Sequence, residues 1–143
     1  GPGWDADFLE TLGLTVRRTD ATRRFLELQA ARGKQGELLD VITGPVGGPY
    51  DAVVAMCVLI HIPRDEIDPV LAKLAGSLRP GGALIVSTRD ADGETTGKYH
   101  TVYWRRADFA ARLVAAGLEL IWGEFRIDCD RDGWNTFLAV RPS

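Results

Sequence analysis

Cysteine is scarce in this sequence: Cys57 and Cys129 are the only two in 143 residues. Two separated cysteines make no disulfide framework, and with only two histidines they make no zinc site. Cys57 sits in an apolar run and reads as a small buried side chain, while Cys129 lies in an acidic turn. This usage points to a reducing, cytoplasmic setting. No apolar run approaches the ~18 residues of a membrane span, and the N-terminus lacks the basic-then-apolar order of a secretion signal. Positive charge is not in excess either. A net charge of −3 gives no reason to expect nucleic acid or an anionic membrane as partner. The pairs Arg17/Arg18, Arg23/Arg24 and Arg105/Arg106 are too scattered for a basic stripe and read as solvated faces. There is no internal repeat and no low-complexity tract, and no Ser/His/Asp arrangement stands out.

What is present is an ordinary globular composition, 45% apolar and 26% charged, with room for one core. Trp4, Phe8, Leu9 and Leu12 share one helical face, and Gly13 follows as a stop. Leu14–Arg18 reads as a strand ending at Thr19-Asp20, Ala21–Arg32 as a helix closed by Gly33, and Glu37–Ile42 as a short strand. Ala52–Cys57 is apolar without alternation, the pattern of a strand buried on both faces of a parallel sheet. Asp65–Leu78 carries the stripe Ile67, Val70, Leu71, Leu74, Leu78 of an amphipathic helix. Arg79-Pro80-Gly81-Gly82 reads as a sharp turn, because proline ends a helix and glycine permits positive φ. A buried strand Ala83–Ser87, a polar loop Thr88–His100, a helix near Ala107–Ala116 and strands near Leu118–Phe125 and Thr136–Val140 complete the chain. Alternating α and β predicts a mostly parallel sheet with helices on both faces, and the closing tight connection predicts one antiparallel last strand. Ligands of such sheets bind beyond the carboxyl ends of the strands. The places to search are therefore Gly1–Gly3, Asp20–Thr22, Asp40–Val41, Ala55–His61 and Thr88 onward.

Taken together, those positions resemble the class I S-adenosylmethionine-dependent methyltransferases. Gly1-Pro2-Gly3 running into Trp4-Asp5-Ala6-Asp7-Phe8-Leu9 resembles the close of that family's glycine turn and its first helix. Val16-x-Arg18-x-Asp20-x-Thr22 is similar to its second strand, and Asp40-Val41 falls where the family places an acid and an apolar residue. The most specific blocks are Tyr50–Val54 through Val58-Leu59-Ile60-His61-Ile62-Pro63, and Leu78-Arg79-Pro80-Gly81-Gly82-Ala83-Leu84-Ile85-Val86. The resemblance implies a Rossmann-like α/β fold and a single methyltransferase-like domain over residues 1–143. It also implies a first strand, ahead of the glycine turn, that this sequence does not contain, so the domain is expected to be N-terminally incomplete. It further implies S-adenosylmethionine as cofactor, with Gly1, Gly3, Asp20, Ala21, Asp40, Val41, Ala55, Met56 and Cys57 around it.

The chemistry of these positions agrees with that implication. A glycine turn at a helix N-terminus suits a carboxylate such as the methionine end. An acid about 20 residues later suits a ribose diol, because a carboxylate accepts two hydrogen bonds. Nicotinamide-dependent oxidoreductases share that ribose acid, and only the Val58–Pro63 and Arg79–Val86 blocks favour the methyltransferase.

Each residue has a plainer reading beside the functional one. Asp20 serves equally as a helix N-cap, Asp40 as a strand-end acid, and Met56 and Cys57 as core packing. His61 fits a general base, an orienting group or a loop histidine capping local backbone. Tyr99, His100, Tyr103 and Trp104 fit an acceptor pocket, with Tyr103 as a second catalytic candidate, or a hydrophobic anchor for their loop. Arg89 and Asp90 fit a polar acceptor. Asp128-Cys129-Asp130-Arg131-Asp132-Gly133 begins like a calcium loop, but its twelfth position is Ala139 where glutamate is needed, so it reads as a polar turn. The acceptor expected is a small molecule methylated on O, N or S. A homodimer, or a non-catalytic module using an incomplete sheet to pair with another chain, is the competing expectation.

Overall fold

The computed structural model describes residues 1–143 as two compact units, Gly1–Pro45 and Val46–Ser143. The first unit contains α1 (Trp4–Thr11), β1 (Thr19–Asp20), α2 (Arg23–Ala30) and β2 (Glu37–Leu38). β1 and β2 are parallel, with Asp20 opposite Leu38. Both strands are shorter than their apolar patterns suggest. Only two residues of each make ladder bonds, and Asp40 already folds a turn by receiving the Gly44 N–H on its carbonyl, 2.7 Å.

A buried arginine organises this unit. Arg18, with its side chain 3% exposed, donates to Asp7 (2.7 Å) and Glu10 (2.9 Å) on α1 and to Gln29 (3.4 Å) on α2. Asp7 also meets Arg32 and Glu10 meets Lys34, so each carboxylate has two cationic partners. The hydrogen bond from Arg18 holds the Asp7 carboxyl below its usual value, and those from Lys34 and then Arg18 do the same for Glu10. Burial pulls Arg18 down, but its two carboxylate partners outweigh it and the net shift is upward. A depressed carboxyl pKa stabilises the fold above the unfolded value and loses that contribution as pH falls through the folded one. The Arg18 Nε–H resonance should thus resist solvent exchange at neutral pH. It should lose that protection only as the pH drops below the ordinary carboxyl values of 3.8 and 4.5. Loss of protection already near neutral pH would show that the cluster does not hold α1.

The second unit is built on a four-stranded sheet of order β3-β4-β8-β7. Its strands are β3 (Tyr50–Ala55), β4 (Leu78–Arg89), β7 (Glu119–Ile127) and β8 (Gly133–Val140). β3 and β4 run parallel, and β8 lies antiparallel to both β4 and β7. The last strand is therefore the antiparallel one, as alternation followed by a tight turn predicts. Arg79–Gly82 departs from the simple turn expected. Leu78 already pairs with Tyr50, and the next pair is Ala83 with Ala52, so four residues bulge out of one side of the ladder. Gly81 takes φ +77°, and a Cβ on Gly82 would meet the Arg79 and Tyr50 carbonyls at 2.9 and 3.0 Å. Only glycine fits there.

β3 corrects another expectation. It pairs on one side only and Val54 is 38% exposed, so the strand is not buried on both faces. α1 is the first element of the chain.

Two helices cover one face of this sheet. α3 (Ile67–Ser77) buries Ile67, Val70, Leu71 and Leu74, the stripe its spacing specifies. It ends where Leu78 turns extended ahead of Pro80. α4 (Arg106–Ala115) buries Phe109 and Leu113. Phe109 stacks at 5.6 Å on Phe137 of β8 and 6.2 Å from Trp104. With Leu84 and Val86 of β4 these make the core. The polar loop after β4 holds an unexpected small hairpin, β5 (Glu94–Thr96) and β6 (His100–Val102). No helix is long and apolar enough to cross a membrane.

Candidate functional site

The sequence-designated residues of the first unit gather at the carboxyl ends of its two parallel strands. Asp20 closes β1 and Asp40 lies two residues beyond β2. One oxygen of Asp20 accepts the Thr22 N–H at 2.8 Å, and the other is held by the amino group of Gly1. Asp40 does the same locally, accepting the Ile42 N–H at 2.8 Å. The N-cap of α2 is Thr22, so Asp20 stands just ahead of the helix and not on its cap. Val41 is half-buried beside Asp40, and Ala21 is exposed. Gly3 is the N-cap of α1 with φ +88°, and a Cβ there would strike Gln29 and Arg18 at 2.8 and 2.9 Å. The glycine turn is therefore packed against this unit's own side chains, and Gly1 is tied in through its carbonyl to Gln29 at 2.9 Å.

In the second unit the end of β3 is the unusual backbone. Ala55 is buried, Met56 is half-buried, and Cys57 is exposed with φ +57°. A non-glycine residue in the left-handed region is uncommon and is found where surrounding structure holds it. Here the Cys57 N–H donates to the buried Ser87 hydroxyl of β4 at 2.8 Å. Cys57 is thus not the buried core residue its apolar neighbours suggest. The anchor, Ser87, carried no signal in the sequence because serine at a strand end is commonplace.

His61 ends a single 3₁₀ turn, Leu59–His61. Its Nδ1 lies 2.9 Å from the His100 carbonyl oxygen. A carbonyl only accepts, so Nδ1 carries the hydrogen, and the neutral ring then presents its lone pair at Nε2. That is the tautomer a general base needs. The ring of Tyr99 sits 6.3 Å away, and His100 itself reaches Glu94 across the β5–β6 hairpin at 2.8 Å.

Arg89 and Tyr103 also come together. They form an isolated parallel bridge, and the guanidinium lies 5.5 Å from the Tyr103 ring centroid. It is equally 5.5 Å from Trp134, and Asp132 closes an ion pair with it, leaving the Arg89 side chain 22% exposed. Tyr103 reaches Thr95 through its hydroxyl at 3.3 Å. Asp132 and Trp134 escaped the sequence reading, which took their segment for a polar turn. It is a turn: Asp128 accepts the Asp130 and Asp132 N–H groups and the Trp134 indole, each at 2.8–2.9 Å. What sequence could not supply is that the antiparallel return of β8 sets this turn beside the end of β4.

Trp104 does not join Tyr103. It is 1% exposed, packed on Phe109 and flanked by the guanidiniums of Arg64 (4.1 Å) and Arg112 (4.4 Å). It reads as the hydrophobic anchor of the segment and not as an acceptor contact. Arg64 completes the anchor with a 2.6 Å bond to the Tyr103 carbonyl. Asp90 is likewise engaged in the fold, accepting the first N–H of α4 at 3.0 Å and the buried Asn135 amide at 2.9 Å.

The first unit thus carries Asp20 and Asp40 at or just beyond the carboxyl ends of its parallel strands, and the second unit ends on an antiparallel strand, features of a Rossmann-like α/β fold. The family comparison is more specific. Residues 1–86, more than half of the chain, match the family described as methyltransferase domain, and the chain belongs to that family. Among solved structures, a SAM-dependent methyltransferase from Methanosarcina mazei superposes with a TM-score of 0.81 at 15% identity, covering 99% of this chain and 89% of that one. The 1,6-didemethyltoxoflavin-N1-methyltransferase of Burkholderia thailandensis, bound to 1,6-didemethyltoxoflavin and S-adenosylhomocysteine, gives 0.82 at 18%, covering 100% and 68%. Phosphoethanolamine N-methyltransferase 2 of Haemonchus contortus, in complex with S-adenosyl-L-methionine, gives 0.83 at 15%, covering 100% and 47%. At these identities the likeness is one of fold. Comparison with curated protein sequences gives no match.

Proposed function

We propose that this protein is a class I S-adenosylmethionine-dependent methyltransferase acting on a small-molecule acceptor through an O, N or S atom. The observation that carries the reading is the pair Asp20 and Asp40 at the carboxyl ends of adjacent parallel strands. The donor set fits the cofactor. Asp20 offers a ribose diol the lone pairs that its oxygens keep beyond their bonds to the Thr22 N–H and the Gly1 amino group, and Asp40 and Val41 offer an acid and an apolar surface to adenine. Gly1, Gly3 and Ala21 supply backbone, and in the second unit Ala55, Met56 and Cys57 line the end of β3.

When bound, the cofactor supplies a methyl group on a sulfonium, an activated leaving group that needs little acid assistance. The chain's residues position and deprotonate. With the cofactor bound, the acceptor's lone pair would take the methyl carbon and the carbon–sulfur electron pair would leave on sulfur. The acceptor proton passes to Nε2 of His61, whose Nδ1–H is fixed on the His100 carbonyl. Tyr103, held by Thr95 and Arg89, orients the acceptor, and Arg89 and His100 border it. In-line positioning accounts for much of the rate. The reaction takes place in the cytoplasm, where both exposed thiols stay reduced.

Isothermal titration with S-adenosylmethionine and S-adenosylhomocysteine tests this. Saturable one-to-one binding is expected with both. A folded protein that binds neither overturns the proposal, and one that binds NADH in their place turns it toward an oxidoreductase.

A further inference from the structure

β7 is the outer strand of its sheet and pairs with β8 alone. A free strand edge exposes unpaired N–H and C=O groups, and proteins blunt such edges with lysine, proline or short strands. β7 carries a bulge near its start and the charges of Glu124 and Arg126, but none of these three devices. It runs nine residues, Glu119–Ile127, without lysine or proline. Ile121 (55%), Trp122 (50%), Phe125 (49%) and Ile127 (66%) are all exposed. A shift in register between Leu120 and Trp122 deflects the first end, so the regular free edge is Trp122–Ile127.

That stretch is complementary to itself. Alternate residues share a face, so Gly123, Phe125 and Ile127 lie on one side and Trp122, Glu124 and Arg126 on the other. A groove of about 270 Å³ opens beside Gly123 between Ala110, Leu120, Ile121 and Phe137, with the Arg106 guanidinium on its floor, 2.7 Å from where a Gly123 Cβ would stand. Ile127, on the same face, is the most exposed large apolar side chain of the strand. A two-fold axis through Phe125 sets Phe125 against Phe125, Gly123 against Ile127 and Glu124 against Arg126. The partner's Ile127 then faces the groove at Gly123, twice by symmetry. Glu124 and Arg126, already paired at 2.8 Å within one strand, each gain an opposite charge across the axis. The register thus brings Ile127 to the groove and acid to base at once.

We propose that a second copy of this chain docks on β7, antiparallel about Phe125, to make a homodimer with one continuous eight-stranded sheet. Light scattering coupled to size exclusion tests it on the whole chain. The expected mass is twice 15.6 kDa. Arg126→Glu, which sets glutamate against glutamate, should weaken the dimer about tenfold or more. The double variant Glu124→Arg/Arg126→Glu should restore it. Ile127→Asp should also give monomer, with the circular dichroism melt showing that each variant stays folded. A monomeric parent protein overturns the proposal. So does a dimer indifferent to both Arg126→Glu and Ile127→Asp, which would place pairing elsewhere, such as the β3 edge.

Discussion

Replacement of Asp20 by alanine is expected to weaken S-adenosylmethionine binding about 100-fold, read by isothermal titration. A ribose diol gives two hydrogen bonds to one carboxylate, and a bond to a charged group contributes about 1.5 kcal/mol or more. Losing both costs about 3 kcal/mol, roughly two powers of ten in the dissociation constant. Asp20 also accepts the Thr22 N–H ahead of α2 and the Gly1 amino group, so the same variant frees both donors. That local loss costs about 1 kcal/mol of stability, and a thermal melt measures it separately. Asp20→Asn keeps the local acceptor and gives up the charge, so its affinity should fall between the two. Unchanged affinity in the alanine variant, with a lowered melting point, would leave Asp20 as a turn residue and nothing more.

Phe109→Ala should cost about 3–5 kcal/mol in equilibrium denaturation, the usual range for removing a buried phenyl ring. Phe109 is fully buried and holds α4 to the sheet through Phe137, while its other side meets Trp104. Against a typical total of about 5–15 kcal/mol, that is enough to leave much of the population unfolded. The loss should spread to the Arg89–Tyr103 cluster, because Trp104 anchors that segment and its N–H bonds to the Arg89 carbonyl at 3.0 Å. Phe109→Leu, which leaves a smaller void, should cost less. A cost below about 1 kcal/mol for the alanine variant would mean that the core lies elsewhere.

Periodicity revealed α3 almost to the residue, because Ile67, Val70, Leu71 and Leu74 recur at helical spacing and Pro80 marks the limit. The paired strands β7 and β8 were legible for a related reason, since a turn rich in Asp and Gly separates two apolar runs. Asp20 and Asp40 stood out because they follow short apolar runs, and strand ends are where carboxylates matter. β5 and β6 were not legible. Glu94–Thr96 and His100–Val102 are three residues each and polar, too short for alternation to register. Trp104 was placed with Tyr103 by adjacency in the chain, yet neighbouring residues of an extended segment have opposite surroundings.

The sequence by itself determined the α/β class, the family, the antiparallel last strand and the strand-end acids. These are local or periodic properties, and a single stretch of chain encodes each. Only the tertiary structure decided that Arg18 is a buried hub, that Ser87 holds Cys57 in a left-handed conformation and that Asp132 and Trp134 enclose Arg89. Those arrangements join residues 8 to 45 positions apart. Such contacts depend on which strands become neighbours, and the pairing of β4 with β8 is fixed by the packing of a whole sheet.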